Sequence, residues 1–322
     1  MVVLLKKRRI SLIAIILDKL YSPRLFLKAH KMNKHFLNLK EYGSTEVRDL
    51  VHGALELKNG SHQKNLKGKY LALIFEKSST RTRLSFEVAM NQLGGRASFL
   101  SVNDLQLGRG EPISDTSKII SSMADAIVLR TLKHSTLENF VESSSVPIIN
   151  GLTDLSHPCQ LLADMLTFVE HKGSLENKKV CWVGDFNNVC YSYMEAAEIF
   201  NFNLTIVCPD EYKPKDIAMN SNVELTNSID SGLKEADLVT TDVWVSMGDE
   251  KDSERRLSSF SKYQISPTVM NKAKSDAIFL HCLPAVRGQE ISTDMLDDPR
   301  SKVWEQAENR LHTQKSLLLA LL

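Results

Sequence analysis

The chain has 322 residues, of which 43% are hydrophobic, a size that suits two α/β domains or one large one. It is nearly neutral, with 40 Lys and Arg against 39 Asp and Glu, so no basic surplus indicates nucleic acid as the main ligand. The five cysteines are odd in number and lack CxxC spacing. This argues against a disulfide framework or a zinc site and favours a reducing compartment.

The first 31 residues differ from the rest, because they carry eight Lys and Arg against one acid, Asp18. Their apolar run, residues 10–17, is too short to span a bilayer, and no small-residue cleavage site follows it. Two interpretations stay open. Either the segment is a transit peptide, which implies the mitochondrial matrix, or Met32 is the natural start and the protein is cytoplasmic. We favour the second and expect residues 1–31 to be disordered or non-native.

Beyond residue 69, short apolar runs alternate with amphipathic stretches, which predicts strands and helices in turn. The first half has predicted strands at residues 70–75, 97–100, 126–130 and 146–149, with helices at 82–93 and 157–171. The alternation restarts after Gly173, with predicted strands at 179–183, 204–208, 238–242 and 278–280 and a final helix at 308–322.

This alternation predicts an α/β fold with two doubly wound parallel-sheet domains joined by helices, and a C-terminal helix that closes the chain. The predicted units are the extension 1–31, a first domain 32–170, a second domain 171–304, and a helix 305–322 that packs back on the first domain.

The segment that follows the first predicted strand can form a phosphate site. Ser79 and Thr80 are good N-cap residues, and the amides and positive dipole end of a helix attract an anion. Arg81 can bind two phosphate oxygens at once. An ordinary capped helix with solvated arginines is the alternative.

A second group of polar residues follows the strand at residues 126–130. Arg130 ends this strand, where ligands gather in open α/β sheets, although a surface ion pair is the common use of such a residue. His157 and Gln160 are three residues apart and share a helix face, with Pro158 suited to the first helical position. Together they can bind a polarised carbonyl oxygen and an NH2 group, although a lone histidine is often structural.

The second half offers an amine site rather than a dinucleotide site. Phe186 stands where GxGxxG requires a glycine, which argues against a nicotinamide enzyme. Asp242 can hold an ammonium group and the loop at residues 246–248 can close over a ligand, with a plain turn as the alternative. Cys282 next to His281 suggests a thiol protease, but sequence neighbours rarely form a catalytic dyad, and a buried apolar cysteine is the default.

These motifs resemble those of a known family. Ser79-Thr80-Arg81-Thr82 and His157-Pro158-Cys159-Gln160 are similar to the Ser-x-Arg-Thr and His-Pro-x-Gln motifs of carbamoyltransferases. The stretch FEKSSTRTRLSFEVAMNQLGG, Asp242 with Ser246-Met247-Gly248, and His281-Cys282-Leu283-Pro284 resemble the ornithine branch; aspartate carbamoyltransferases lack the Ser-Met-Gly motif. The resemblance covers most of residues 35–322 and leaves out residues 1–31. It implies an ornithine carbamoyltransferase, most often an enzyme of arginine biosynthesis.

The resemblance also implies a role for each motif residue. Carbamoyl phosphate would be bound by the first domain through Ser79, Thr80, Arg81, Thr82, Gln106, Arg130, His157 and Gln160, together with Cys282 and Leu283 of the second domain and Arg310 of the C-terminal helix. L-ornithine would be bound in the second domain by Asn188, Asp242, Ser246 and Met247, with Cys282 beside its side chain. Arg130 and His157 would stabilise the oxyanion, and Asp242 and Cys282 would hold the attacking amine and help to deprotonate it.

The position of Gln106 implies a homotrimer with shared active sites, because related enzymes insert this residue into a neighbouring subunit. No metal, no organic cofactor, no nucleic acid and no membrane partner is expected. Two alternatives remain, namely a carbamoyltransferase for putrescine or an acylated ornithine, and a non-catalytic anion-binding α/β protein. The sequence leaves open whether citrulline is made for arginine synthesis or broken down for ATP.

Overall fold

The computed structural model describes residues 35–60, 65–102, 105–214, 217–246 and 250–322. The N-terminal extension, Met32 and Met247 lie outside the described residues. No helix in the described part combines the length and the apolar character that a bilayer crossing requires.

The first of two parallel sheets in the described residues follows a helix, α1 (Ser44–Lys58). Its strands are β1 (Tyr70–Phe75), β2 (Arg96–Ser101), β3 (Ala126–Arg130) and β4 (Ile148–Leu152), in the order β2-β1-β3-β4. The helices between and after them are α2 (Thr80–Gln92), α3 (Ile113–Met123), α4 (His134–Ser143) and α5 (Pro158–Lys172). The strand order reverses between β1 and β3, and such a switch point opens a crevice at the carboxyl edge of the sheet.

The second sheet repeats this plan with the strand order β7-β6-β5-β8-β9. Its strands are β5 (Lys179–Val183), β6 (Asn203–Val207), β7 (Val223–Thr226), β8 (Leu238–Thr241) and β9 (Ile278–His281). The helices are α6 (Asn188–Phe200), α7 (Ile229–Leu233), α8 (Ser253–Phe260), α9 (Pro267–Met270) and α10 (Val303–Leu321). The order reverses between β5 and β8, which gives a second switch point.

One helix, α5, lies between the two sheets and is buried on all sides. Residues 158–169 of α5 are all buried, as expected of a helix enclosed within a core rather than lying on a surface. Leu162 shares one core cluster with Val128 of the first sheet and Trp182 of the second. The last helix, α10, packs against α5, α1 and α2, so the chain ends next to the first sheet.

The predicted fold class is confirmed, and the differences lie at the ends of some elements and in one strand that was not predicted. The strand predicted at 146–149 runs from Ile148 to Leu152, because Pro147 has no N–H to donate to a sheet ladder. The final helix begins at Val303 rather than at residue 308. Strand β7 was not predicted, since it is a short, half-exposed edge strand without an apolar run.

Candidate active site

A cleft of about 1080 Å³ lies where the carboxyl edges of the two sheets face each other. Its wall is formed by the segments that follow β1, β3 and β4 of the first sheet and β5, β6, β8 and β9 of the second, together with Arg310 of α10. All but two of the residues predicted for the site line this cleft, namely Ser79, Thr80, Arg81, Thr82, Arg130, His157, Gln160, Asn188, Asp242, Ser246, Cys282, Leu283 and Arg310. Of the other two, Gln106 is exposed in a 3-10 turn, Gln106–Arg109, and Met247 is not described.

The start of α2 forms one end of the cleft. The side chain of Ser79 caps the helix by accepting a hydrogen bond from the backbone N–H of Thr82 at 3.3 Å. The helix start therefore turns its positive dipole end to the cleft. Arg81 donates through Nη2 to the backbone carbonyl of Leu283 at 2.5 Å, which ties this helix start to the loop after β9.

Three arginines concentrate positive charge beside that helix start. Arg130 and Arg310 are almost fully buried, and Arg81 is half-buried. Burial lowers the pKa of Arg130 to about 10, and repulsion by Arg310 and Arg81 acts in the same direction. Burial also lowers the pKa values of Arg310 and Arg81. Because guanidinium groups remain charged at neutral pH, a phosphate dianion bound here would relieve their mutual repulsion.

His157 lies next to the arginines at the start of α5. Burial, followed by the charges of Arg310 and Arg130, lowers the pKa of His157 well below its usual value. The imidazole is therefore neutral at pH 7 and can donate a hydrogen bond to a developing oxyanion through one ring nitrogen. Its Nδ1 is buried and has no hydrogen-bond partner among the described residues. The backbone N–H of His157 donates to Ser192 Oγ at 2.8 Å, which fixes this helix start against α6.

Gln160, one turn further along α5, has its amide held at both ends. Its Nε2 donates to Asp164 Oδ1 at 2.9 Å, and its Oε1 accepts a hydrogen bond from Arg310 Nη1 at 2.7 Å. Arg310 also donates through Nη2 to Thr82 Oγ1 at 3.1 Å. The amide oxygen therefore lies on the arginine side of the helix, where it can accept a further hydrogen bond from an NH2 group.

An acidic group, Asp242, lines the cleft after β8 and is close enough to Arg81 to interact with its charge. The carboxylate of Asp242 accepts hydrogen bonds from Asn187 Nδ2 at 2.8 Å and from the backbone N–H of Val243 at 2.8 Å. The Cys282 thiol donates to Asp242 Oδ1 at 3.1 Å. Burial and the Asp242 charge raise the pKa of Cys282 well above its usual value, so it is a neutral thiol at pH 7. A neutral thiol is a weak nucleophile, which argues against a covalent role for Cys282.

Asp242, His281 and Cys282 form a group of possible metal ligands within the described part of the chain, with their donor atoms within 4.8 Å of one another. His281, however, uses both ring nitrogens. Its Nδ1 accepts a hydrogen bond from the Leu283 N–H at 2.8 Å, so Nε2 carries the proton and donates to Glu290 Oε1 at 3.1 Å. The histidine is thus engaged in holding its loop and offers no lone pair to a metal.

Several residues of the cleft wall were not predicted. Asn187, which holds Asp242, is the N-cap of α6 and accepts hydrogen bonds from two backbone amides of that helix. An asparagine before a helix is a signal that sequence reasoning can use. Arg256 of α8 forms an ion pair with Asp185 at 2.8 Å and donates to the Trp244 carbonyl at 3.2 Å. No motif marks that arginine, because its partners are distant in the sequence.

Buried arginines at a helix start, a neutral histidine and an Asp–Cys pair line one cleft, and enzymes that transfer a group from a phosphorylated donor to an amine need side chains of these kinds. Comparisons with known proteins agree. Residues 34–170 match the carbamoyl-P binding domain of the aspartate/ornithine carbamoyltransferase family, and residues 176–321 match its Asp/Orn binding domain.

Individual relatives lead to the same family. The chain is 52% identical over 296 residues to the ornithine carbamoyltransferase of Psychrobacter cryohalolentis, a match that covers 90% of this chain and 97% of that one. It is 51% identical over 292 residues to an anabolic ornithine carbamoyltransferase 1 of Pseudomonas savastanoi pv. phaseolicola, covering 88% and 95%. The crystal structure of ornithine carbamoyltransferase from Thermus thermophilus has a TM-score of 0.84 at 38% identity, covering 90% and 99%. The chain belongs to the ornithine carbamoyltransferase family, which confirms the resemblance seen in its motifs.

Proposed function

We propose that this protein transfers the carbamoyl group of carbamoyl phosphate to the side-chain amine of L-ornithine, giving L-citrulline and phosphate. The observation that carries this proposal is one cleft that is lined both by three arginines at a helix start and by the Asp242–Cys282 pair. A binding module for anions has no need of the second group. The names of the relatives, which include an anabolic enzyme, support the direction of arginine biosynthesis.

Carbamoyl phosphate binds first in this proposal. The start of α2, with Ser79, Thr80, Arg81 and Thr82, and Arg310 bind the phosphate group. Gln160 and the loop of Cys282 and Leu283 contact the carbamoyl group, whose NH2 needs acceptors. This assigns the phosphate and carbamoyl ends to residues 32–170 and the C-terminal helix, which packs against that part.

Ornithine binds in residues 171–304, beside Asn188, Asp242, Ser246 and Met247. Its side-chain ammonium must lose a proton before it attacks, because an ammonium has no lone pair. Asp242 and Cys282 hold this group and assist the loss of the proton. As the new C–N bond forms, Arg130 and His157 stabilise the oxyanion, and the C–O bond to phosphate then breaks. The departing phosphate takes up or shares the proton.

Gln106 belongs in this proposal to the active site of a neighbouring copy in a homotrimer. Its exposed place outside the cleft of its own chain supports that role. Mixing two inactive variants, Gln106→Ala and Arg310→Ala, should restore part of the activity, since some mixed sites would contain both native residues. A mixture as inactive as its components would contradict shared sites.

The five free cysteines support a reducing compartment, and we infer a cytoplasmic location.

The decisive experiment measures product formation with ornithine, putrescine, acetylornithine and aspartate side by side. We expect turnover with ornithine alone, and a higher kcat/KM with any other acceptor would overturn the proposed substrate.

Calorimetry of Arg81→Ala tests the phosphate site, where binding of carbamoyl phosphate should weaken at least about 100-fold with the loss of a bidentate charged contact. Arg83→Ala is the matched control, because Arg83 lies on the same helix but pairs with Glu87 outside the cleft.

A further inference from the structure

Asp164 lies on α5 one turn beyond Gln160 and is almost completely buried, outside the cleft wall. Its carboxylate accepts three hydrogen bonds. Oδ1 accepts from Gln160 Nε2 at 2.9 Å and from Gln306 Nε2 at 2.5 Å, and Oδ2 accepts from the Tyr193 hydroxyl at 2.8 Å. A carboxylate is unfavourable in a core unless donors surround it. The donors here come from three helices, α5, α10 and α6, which converge on this one side chain.

The consequence of this contact falls on Gln160. The two ends of a glutamine amide are nearly equal in size, so packing alone does not choose between its two orientations. A carboxylate oxygen that accepts from Nε2 requires the nitrogen to lie on the Asp164 side. The oxygen is then turned to the cleft side, where Arg310 donates to it. Without an acceptor at residue 164, Nε2 would be buried and unpaired, and this cost favours rotation of the amide even though Arg310 still donates to its oxygen.

We propose that Asp164 is a positioning residue for carbamoyl transfer, because it holds the Gln160 amide with its oxygen placed to accept a hydrogen bond from the carbamoyl NH2 group. The inference rests on the proposed function, in which Gln160 binds that NH2 group. Asp164 does not touch the substrate and acts only through Gln160.

Because of the Tyr193 contact, the Gln160 amide should keep its orientation when Asp164 is protonated. Burial raises the pKa of Asp164 to about 7, although hydrogen bonds from Tyr193 and Gln306 act to lower it. A hydroxyl can accept as well as donate, so a proton on Oδ2 can be donated to Tyr193, while Oδ1 continues to accept from both amides. An asparagine at this position can do the same with its NH2 group. Asp164→Asn should therefore preserve the orientation of Gln160, whereas Asp164→Leu should not.

The test compares carbamoyl phosphate with acetyl phosphate, in which a methyl group replaces the NH2 group. The dissociation constants of both are measured by calorimetry on the full-length chain without ornithine. Wild type should prefer carbamoyl phosphate by roughly tenfold or more, since a site built to accept an N–H rejects an analogue that lacks it. Asp164→Asn should keep this ratio within about twofold, and Asp164→Leu should reduce it to about threefold or less.

Tyr193→Phe is the matched control, because it removes the donor on the opposite oxygen and leaves the Gln160 contact intact. It should keep the wild-type ratio even where it lowers stability. Asp164→Val, with a smaller side chain, replaces Asp164→Leu if that variant does not fold. A double variant with Gln160→Leu should show no further loss from Asp164→Leu, because the effect passes through Gln160.

Two results would overturn the proposal. The first is an unchanged ratio in Asp164→Leu, which would show that Asp164 only supports the fold. The second is an equal loss of the ratio in Tyr193→Phe, which would assign the effect to packing. A wild-type protein that does not distinguish the two phosphates would instead refute the role of Gln160 in the proposed function, and the inference about Asp164 would fall with it.

Discussion

Replacing Arg130 by methionine is expected to stabilise the ligand-free protein while it destroys activity. Arg130 is 8% exposed, and its Nε has no hydrogen-bond partner among the described residues. The charges of Arg310 and Arg81 repel it. Methionine retains an unbranched apolar stem and adapts to irregular space, so the change removes the charge with little disturbance of packing.

The size of the gain follows from the pKa of Arg130. Burial and repulsion lower it to about 10, roughly two to three pH units below the ordinary pKa of an arginine. At 1.36 kcal/mol per unit, this corresponds to about 3 kcal/mol. Folding disfavours the charged form of a base whose pKa it lowers. The stability cost is absent above the pKa of the unfolded chain and grows as the pH falls through the pKa of the folded protein. At pH 7 the full cost is present. Favourable contacts of the guanidinium offset part of this, and we expect a net gain of about 1–3 kcal/mol.

Urea unfolding at pH 7, with and without phosphate, measures this gain. The Arg130→Met variant should unfold at a higher urea concentration than wild type without ligand, and citrulline formation should fall by roughly 100-fold or more. Phosphate should stabilise wild type and have less effect on the variant. Arg48→Met is the control, because Arg48 donates to the Ile199 carbonyl outside the cleft, and its loss should not stabilise the protein. A ligand-free Arg130→Met protein that is less stable than wild type would refute the reasoning.

Three further predictions concern other parts of the chain. Cys282→Ser should raise the ornithine KM and lower turnover, so that kcat/KM for ornithine falls by roughly 10- to 1000-fold. Binding of carbamoyl phosphate should stay largely unchanged. A carbamoyl-cysteine seen by mass spectrometry, or an unchanged ornithine dependence, would contradict this. Glu195 accepts a hydrogen bond from the Leu39 N–H, and burial raises its pKa to about 7. The stability contributed by its protonated form is therefore complete below pH 4.5 and is lost as the pH rises through 7. Glu195→Gln should flatten the fall in unfolding free energy between pH 5 and 8 in urea titrations, and an unchanged slope would count against it. A chain that starts at Met32 should form citrulline at the wild-type rate, since the family match begins at residue 34, and an inactive or insoluble product would show that the extension is needed.

Three strands were predicted without error, and all three are buried along nearly their whole length. β1, β3 and β5 are continuous apolar runs, as parallel strands between helix layers must be. β4 breaks this pattern, because it contains Asn150 and Gly151. The buried Asn150 amide donates to the Leu37 carbonyl, a partner more than a hundred residues away. No local pattern reveals such a contact, so the end of β4 could not be predicted.

In the candidate site, too, residues marked by a local pattern could be predicted and residues held by long-range contacts could not. Residues that follow strands or open helices could be predicted, because the fold class alone places them at the carboxyl edges of the sheets. The supporting residues could not. Asp164 lies in an apolar helix, and its partners Tyr193 and Gln306 come from helices that only the folded chain brings together. Glu290, which fixes the His281 tautomer, likewise has no motif of its own.

The bond from Arg81 to the Leu283 carbonyl connects the proposed phosphate site to the loop that carries Cys282, which agrees with the proposed binding of carbamoyl phosphate before ornithine. A guanidinium has five N–H donors, so Arg81 can bind phosphate oxygens and keep its bond to Leu283. A phosphate that immobilises Arg81 thereby also immobilises the loop of the second sheet on which Cys282 lies. That thiol donates to Asp242, the residue proposed to hold the ammonium group of ornithine. In the proposed function, phosphate bound by Arg81 would hold this loop in place, so the amine would meet Asp242 and Cys282 with the carbamoyl group already in position.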